Sequence, residues 1–176
     1  DVPFDDLRSR HQAVLLATGV YAARRLTLPG CGAEGVVPAL GYLTASNRKG
    51  MGDSVPEFES GALDARGRRV VVIGGGDVAM DVARTALRCG AEEVHLSVLE
   101  NRDSMPASEH ELFGALREDV GLHNDRLPTA IETDGKNVTL RCVRTEGGGL
   151  DENGRLQFEI IEGSDYDVPC SVIMTA

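Results

Sequence analysis

The residues whose spacing is most specific for chemistry are Gly74, Gly76 and Ala79, which form a G-x-G-x-x-A motif. That spacing serves a pyrophosphate. Gly74 permits a tight turn, and Gly76 has no side chain to hold a phosphate away from the backbone. Ala79 is small enough for a helix to pack on the strand before it. The amides that open such a helix, around Gly75, Asp77 and Val78, would hold the negative charge together with the helix dipole. Little else in the sequence competes. Cys31, Cys89, Cys142 and Cys170 are too dispersed to make a Cys-x-x-Cys zinc or redox pair. They read as small buried hydrophobes of a reducing compartment. His11, His95, His110 and His123 are also scattered, with no His-x-x-x-His or Ser/His/Asp arrangement. No metal ligand and no catalytic residue is therefore nominated. Asp77 and Asp81 resemble a carboxylate pair, but Asp77 opens a helix, where an acid favours the dipole, and Asp81 lies one turn on.

The motif requires a strand before it and a helix after it. Residues 69–73 (RVVVI) are β-branched and apolar, as in a central parallel strand buried on both faces. Residues 77–89 place Val78, Val82, Ala86 and Cys89 at helical spacing, and Gly90 is a stop. Residues 93–99 alternate as a second strand. Residues 109–119 form a second helix, with Ser108 and Glu111 at capping-box spacing. Upstream, the run AVLLA at 13–17 reads as a short buried strand, 20–37 as loop and 38–48 as a short helix begun by Pro38. Residues 50–67, with four Gly and one Pro, read as a surface connection. Downstream, short strands are expected at 129–133, 137–144, 155–161 and 167–174. Asp134-Gly135 is a hairpin turn, and EGGGLDENG at 146–154 is a break. The fold class is α/β: a Rossmann-like three-layer dinucleotide-binding domain, with a parallel sheet and helices followed by an antiparallel β meander.

Composition narrows the partners. Twenty-eight acids against 18 Lys and Arg give a net charge of −10, which argues against nucleic acid or an anionic membrane surface. No apolar run approaches the roughly 18 residues of a membrane span, and no signal peptide is evident. A cytoplasmic location is expected. Hydrophobic residues make up 41%, enough for a core. The Asp start suggests a segment of a longer protein.

The stretch VVVIGGGDVAMDVARTALRCGAEEVHLSV at 70–98 resembles the nicotinamide-dinucleotide domain of the glutamate synthase small (beta) subunit family. Its relatives include dihydropyrimidine dehydrogenase and, more distantly, thioredoxin-reductase-like flavoproteins. The resemblance extends to Met105-Pro106-Ala107-Ser108 and to Val143-Arg144-Thr145-Glu146. AVLLATG at 13–19 resembles the family's exit from the flavin domain, and VIMTA at 172–176 its return strand. The resemblance implies that residues 1–67 are flank and linker from an FAD domain and that 68–176 are the NAD(P)-binding insert. It implies a parent enzyme in which hydride passes from NAD(P)H to FAD and electrons move on to iron–sulfur clusters, none of these groups except the nicotinamide dinucleotide being bound here. The segment alone is expected to be inactive. The implied partners are the dinucleotide, the FAD domain of the same chain and, left open, a large catalytic subunit. The residues expected at cofactor are Gly74, Gly75, Gly76, Asp77, Val78, Ala79, Glu100 and Arg102, with Thr18 and Gly19 from the exit motif. Two other readings stand beside this one: a non-catalytic nucleotide-sensing Rossmann domain and a methyltransferase, the latter disfavoured by the two flanking motifs.

One departure bears on which dinucleotide binds. At the end of the second strand, NADPH-using relatives carry an aromatic residue and two basic ones, which clamp the 2′-phosphate. Here those positions are Val98, Leu99 and Glu100, and a later basic pair is replaced by Glu109 and His110. A carboxylate at Glu100 repels a 2′-phosphate and accepts the free 2′-hydroxyl of NAD. NAD is the expected cofactor, and NADP stays open through Arg102. Between Glu100 and Asp119 there are six acids and two Arg.

Overall fold

The computed structural model describes residues 2–17, 26–135 and 137–176. In chain order these form α1 (Phe4–Arg10), β1 (Val36–Pro38), α2 (Ala39–Gly50), α3 (Pro56–Glu59), β2 (Arg69–Ile73), α4 (Asp77–Arg88) and β3 (Glu93–Ser97). A short 3-10 turn at Arg102–Ser104 leads to α5 (Glu109–Arg117). Then come β4 (Gly121–His123), β5 (Arg126–Thr133), β6 (Val138–Leu150), β7 (Leu156–Ile160), β8 (Tyr166–Cys170) and β9 (Val172–Thr175).

Three layers result. A five-stranded sheet in the order β1-β9-β2-β3-β4 has parallel pairing throughout. The run RVVVI of β2 is buried on both faces, as its unbroken β-branched sequence requires. Val70 and Val72 face α2, α4 and α5 in one core. Val71 and Ile73 face the other core, against Ile131, Val138, Leu140, Cys142 and Cys170 of the antiparallel layer. That layer is built on β6, which pairs with β5, β7 and β8.

Several expectations change. Residues 13–17 are not a strand; Leu15 and Leu16 are exposed. An apolar run becomes a strand only where a ladder partner exists, and among the described residues this segment has none. Residues 36–37, read as loop, and Pro38, read as the start of a helix, form the edge strand β1. The stretch 50–67 contains α3 and sends Val55, Phe58 and Ala65 into the helix-side core, so it is not a surface connection throughout. In α4 the buried face is Ala79, Met80, Val82, Ala83 and Ala86, while Val78 is 41% exposed. Small residues bring the helix close to the sheet and turn Val78 outward. The glycine-rich 146–149 continues β6 rather than breaking it. The single strand expected at 167–174 is two strands in different layers: β8 lies beside β6, and after Ser171 the chain enters the parallel sheet as β9. Pro169 fits because β8 is an edge. The turn at Asp134-Gly135 is present, with Gly135 at φ +85°.

Candidate functional site

The strand order reverses at β2. β3 and β4 lie on one side of it, and β9 and β1 lie on the other. In open α/β sheets, ligands bind outside the strand ends at such a point. The glycine turn sits there, between Ile73 and α4.

Its three glycines meet different demands. Gly74 has φ +142°, and its amide donates to the Ser97 carbonyl at 3.1 Å. A Cβ there would stand 3.0 Å from the carbonyl oxygen of Ala176. At Gly75 a Cβ would be 2.6 Å from Val98 Cγ1 and 3.2 Å from Glu100 Oε2. At Gly76 a Cβ would meet nothing nearer than Pro106 Cγ, at 4.0 Å. The first two glycines accommodate the protein's own atoms, whereas the third faces open space. The amides of Gly75, Gly76, Asp77 and Val78 donate to no protein acceptor among the described residues. They are the orphan donors of a helix start, gathered beside that space.

The segment Met105–Ser108 crosses the turn as a strap. The Ala107 amide donates to the Gly75 carbonyl at 3.0 Å, and the Ser108 amide donates to Asp77 Oδ1 at 2.7 Å. Ser108 also caps α5, its Oγ accepting the Glu111 amide at 3.4 Å. The expected capping box is thus half made, because the Glu111 carboxylate turns instead to Arg84 Nη1 at 2.8 Å. Outside the strap, a cleft of about 610 Å³ is lined by Arg102, Met105, His110, Leu112 and Phe113 among others. Glu100 is half-buried, and its carbonyl accepts Asn124 Nδ2 at 2.8 Å. Arg102 is exposed at the rim.

The structure therefore brings Gly74, Gly75, Gly76, Asp77, Val78, Ala79 and Glu100 to one place, with Arg102 on the adjoining cleft. Thr18 and Gly19 lie outside the described residues. Val98, Pro106 and Ser108 escaped nomination from sequence. Their part is to shape and cover the turn; the sequence marks Ser108 by its capping spacing, Val98 by its place after the second strand and Pro106 by the 105–108 resemblance, without assigning any of them to the cofactor. Among the described residues no group of three or more His, Cys, Asp or Glu could hold a metal ion. The four cysteines are free thiols. Burial pushes the Cys170 thiol up to about 12. Among the described residues, no helix is long and apolar enough to cross a membrane.

Comparison with known proteins gives the family. The model of the pyridine nucleotide-disulphide oxidoreductases matches residues 5–156. The chain belongs to that family. It is 42% identical to the glutamate synthase [NADPH] small chain of Azospirillum brasilense, over all of this chain and 36% of that protein. It is 44% identical to a putative glutamate synthase [NADPH] small chain of Cereibacter sphaeroides, over all of this chain and 42% of that one. The chain thus spans well under half the length of these family members. The fold is shared with Mycobacterium tuberculosis FprA in complex with NADPH, at TM-score 0.69 and 21% identity, over 99% of this chain and 52% of that one. It is also shared with the thioredoxin reductase of T. acidophilum, at TM-score 0.57 and 13% identity, over 88% of this chain and 40% of that one.

Proposed function

We propose that this chain is the NAD(P)H-binding domain of a glutamate synthase small-subunit-like oxidoreductase. The observation that supports this best is the set of unpartnered amides at Gly75, Gly76, Asp77 and Val78 beside the open space at Gly76. A dinucleotide fits that cradle. Its pyrophosphate is held by those amides and the α4 dipole, where no side chain intrudes. The nicotinamide supplies hydride, which in the whole enzyme goes to FAD and then, as electrons, to iron–sulfur clusters. This chain's residues bind and orient. Gly74 and Gly75 fix the turn, the 105–108 strap covers it, and no proton transfer is asked of any side chain. By itself the domain binds nucleotide without steady oxidation, and a large catalytic subunit is the partner that the relatives' names point to.

The dinucleotide is NADH in preference to NADPH. The Glu100 carboxylate stands against the Gly75 turn, close to where the adenosine ribose follows the pyrophosphate. It would accept the 2′-hydroxyl and repel a 2′-phosphate. The names of the relatives favour NADPH, so a direct measurement is decisive. Titration with both cofactors is expected to show tighter NADH binding, and a tenfold preference for NADPH, about 1.4 kcal/mol, overturns the choice. For the site itself, Gly76→Val is the test. Gly76 has an ordinary extended backbone at φ −95° and ψ 177°, so valine fits the fold but fills the cradle. Both nucleotides should be lost with melting unchanged; undiminished binding refutes the reading.

A further inference from the structure

The loop that carries Glu100 and Arg102 is held from behind by the antiparallel layer. The Asn101 amide donates to the Gly148 carbonyl at 3.0 Å, and the Arg126 amide to the Val98 carbonyl at 2.9 Å. Asn101 then sets the turn that follows, its Oδ1 accepting the amides of Asp103 at 3.1 Å and Ser104 at 2.9 Å. Gly148 is the point of closest approach. A Cβ there would lie 2.9 Å from the Asn101 nitrogen, 3.1 Å from the Leu99 carbonyl oxygen and 3.2 Å from Asp125 Oδ1. The first two are backbone atoms of the loop and cannot swing aside.

The sheet is built to allow this contact. Between Glu146 and Gly149 the pairing of β6 with β7 slips: Glu146 faces Glu159 and Gly149 faces Gln157. One extra residue on β6 makes a bulge, which takes a carbonyl out of the ladder and aims it elsewhere. Here it meets Asn101. The neighbouring glycines are under no such demand. A Cβ on Gly147 meets nothing within 4 Å, and the nearest atom for Gly149 is at 3.5 Å, an ordinary contact.

We infer that Gly148 is a positioning residue for dinucleotide selection: its missing side chain lets the Leu99–Asn101 backbone seat on the β6 bulge and so fixes where Glu100 stands beside the glycine turn. This rests on the nucleotide reading given above. A methyl group at 148 pushes the loop off β6 and carries the Glu100 carboxylate with it. The hydroxyl acceptor for NADH and the repulsion of NADPH then weaken together, whereas the pyrophosphate cradle, on α4, is untouched.

The experiment compares Gly148→Ala and Gly149→Ala with the unaltered full chain, titrating NADH and NADPH and recording melting. Gly148→Ala is expected to shift the ratio of the two dissociation constants toward NADPH by about fivefold or more, the size of a small coupling; Gly149→Ala is expected to leave it unchanged. An unshifted ratio in a folded Gly148→Ala protein overturns the inference. If the unaltered chain binds neither nucleotide, the functional reading has failed instead. Amide exchange on the unaltered chain covers the case in which Gly148→Ala does not fold. Nucleotide is expected to raise protection at 99–104 and at 146–149 together, and protection confined to 99–104 overturns the inference.

Discussion

Asp77 Oδ1 accepts the amide of Ser108 at 2.7 Å, so the first residue of α4 is tied to the cap of α5. One carboxylate therefore serves two helix starts: it lies in the first turn of α4, where negative charge is favourable, and it anchors the strap over the glycine turn. Its side chain is thereby committed to the backbone that covers the turn.

Asp77→Ala should destabilise the domain by about 1 kcal/mol, the usual worth of an exposed charge-assisted hydrogen bond. Asp77→Asn keeps an acceptor and should recover most of that loss. Urea denaturation of the three proteins checks it, and equal midpoints for Ala and Asn would show that the bond to Ser108 contributes nothing.

Gly75 and Val98 should be coupled. A methyl at 75 would meet Val98 Cγ1 at 2.6 Å, and Val98 is fully buried, so it has no free direction in which to move. Gly75→Ala should cost about 1–3 kcal/mol by overpacking. Adding Val98→Ala makes room, and the double variant should be more stable than the sum of the single losses by about 1 kcal/mol. Strict additivity in a double-mutant cycle would contradict the contact.

The motif 69–90 was legible because every requirement there is local. A doubly buried strand reads as RVVVI, its stop as glycine, and the helix as spaced small and apolar residues. The same local logic misled at 13–17, where AVLLA has the composition of a strand but no ladder partner among the described residues. It also missed the corner at Ser171, although the texture changes there. The β8 segment alternates half-buried and exposed residues, while Val172, Ile173 and Met174 of β9 are all buried, as two-sided burial requires. In the candidate site, the glycines are legible from spacing and Glu100 from its place in the resemblance. The seat of Asn101 on Gly148 could not, since it joins two layers and looks in sequence like a loop of three glycines.

Glu100 should govern cofactor choice by charge. Glu100→Arg replaces a repulsive carboxylate with a guanidinium able to grip a 2′-phosphate in two places. The NADPH dissociation constant should fall at least about tenfold relative to that of NADH, near 1.4 kcal/mol. Paired titrations of the two proteins measure this. An unchanged ratio would mean that the carboxylate faces solvent and that discrimination lies elsewhere.

His123 should make the domain acid-sensitive. Its Nε2 lies 3.0 Å from His95 Nδ1, where β3 and β4 pair. Partial burial, then the nearby His95 and Arg126 charges, hold its pKa below the ordinary 6.5. The unfolded chain therefore takes up a proton at a higher pH than the folded one. Well above 6.5 both states are neutral at this residue and stability is fully present. As pH falls from there through the lowered value, the unfolded state gains protons first and stability declines. His123→Gln removes the titration, so its stability should vary less steeply between about pH 7 and pH 5. Chemical denaturation at half-unit intervals for both proteins tests this. Parallel curves would place the acid sensitivity on other groups.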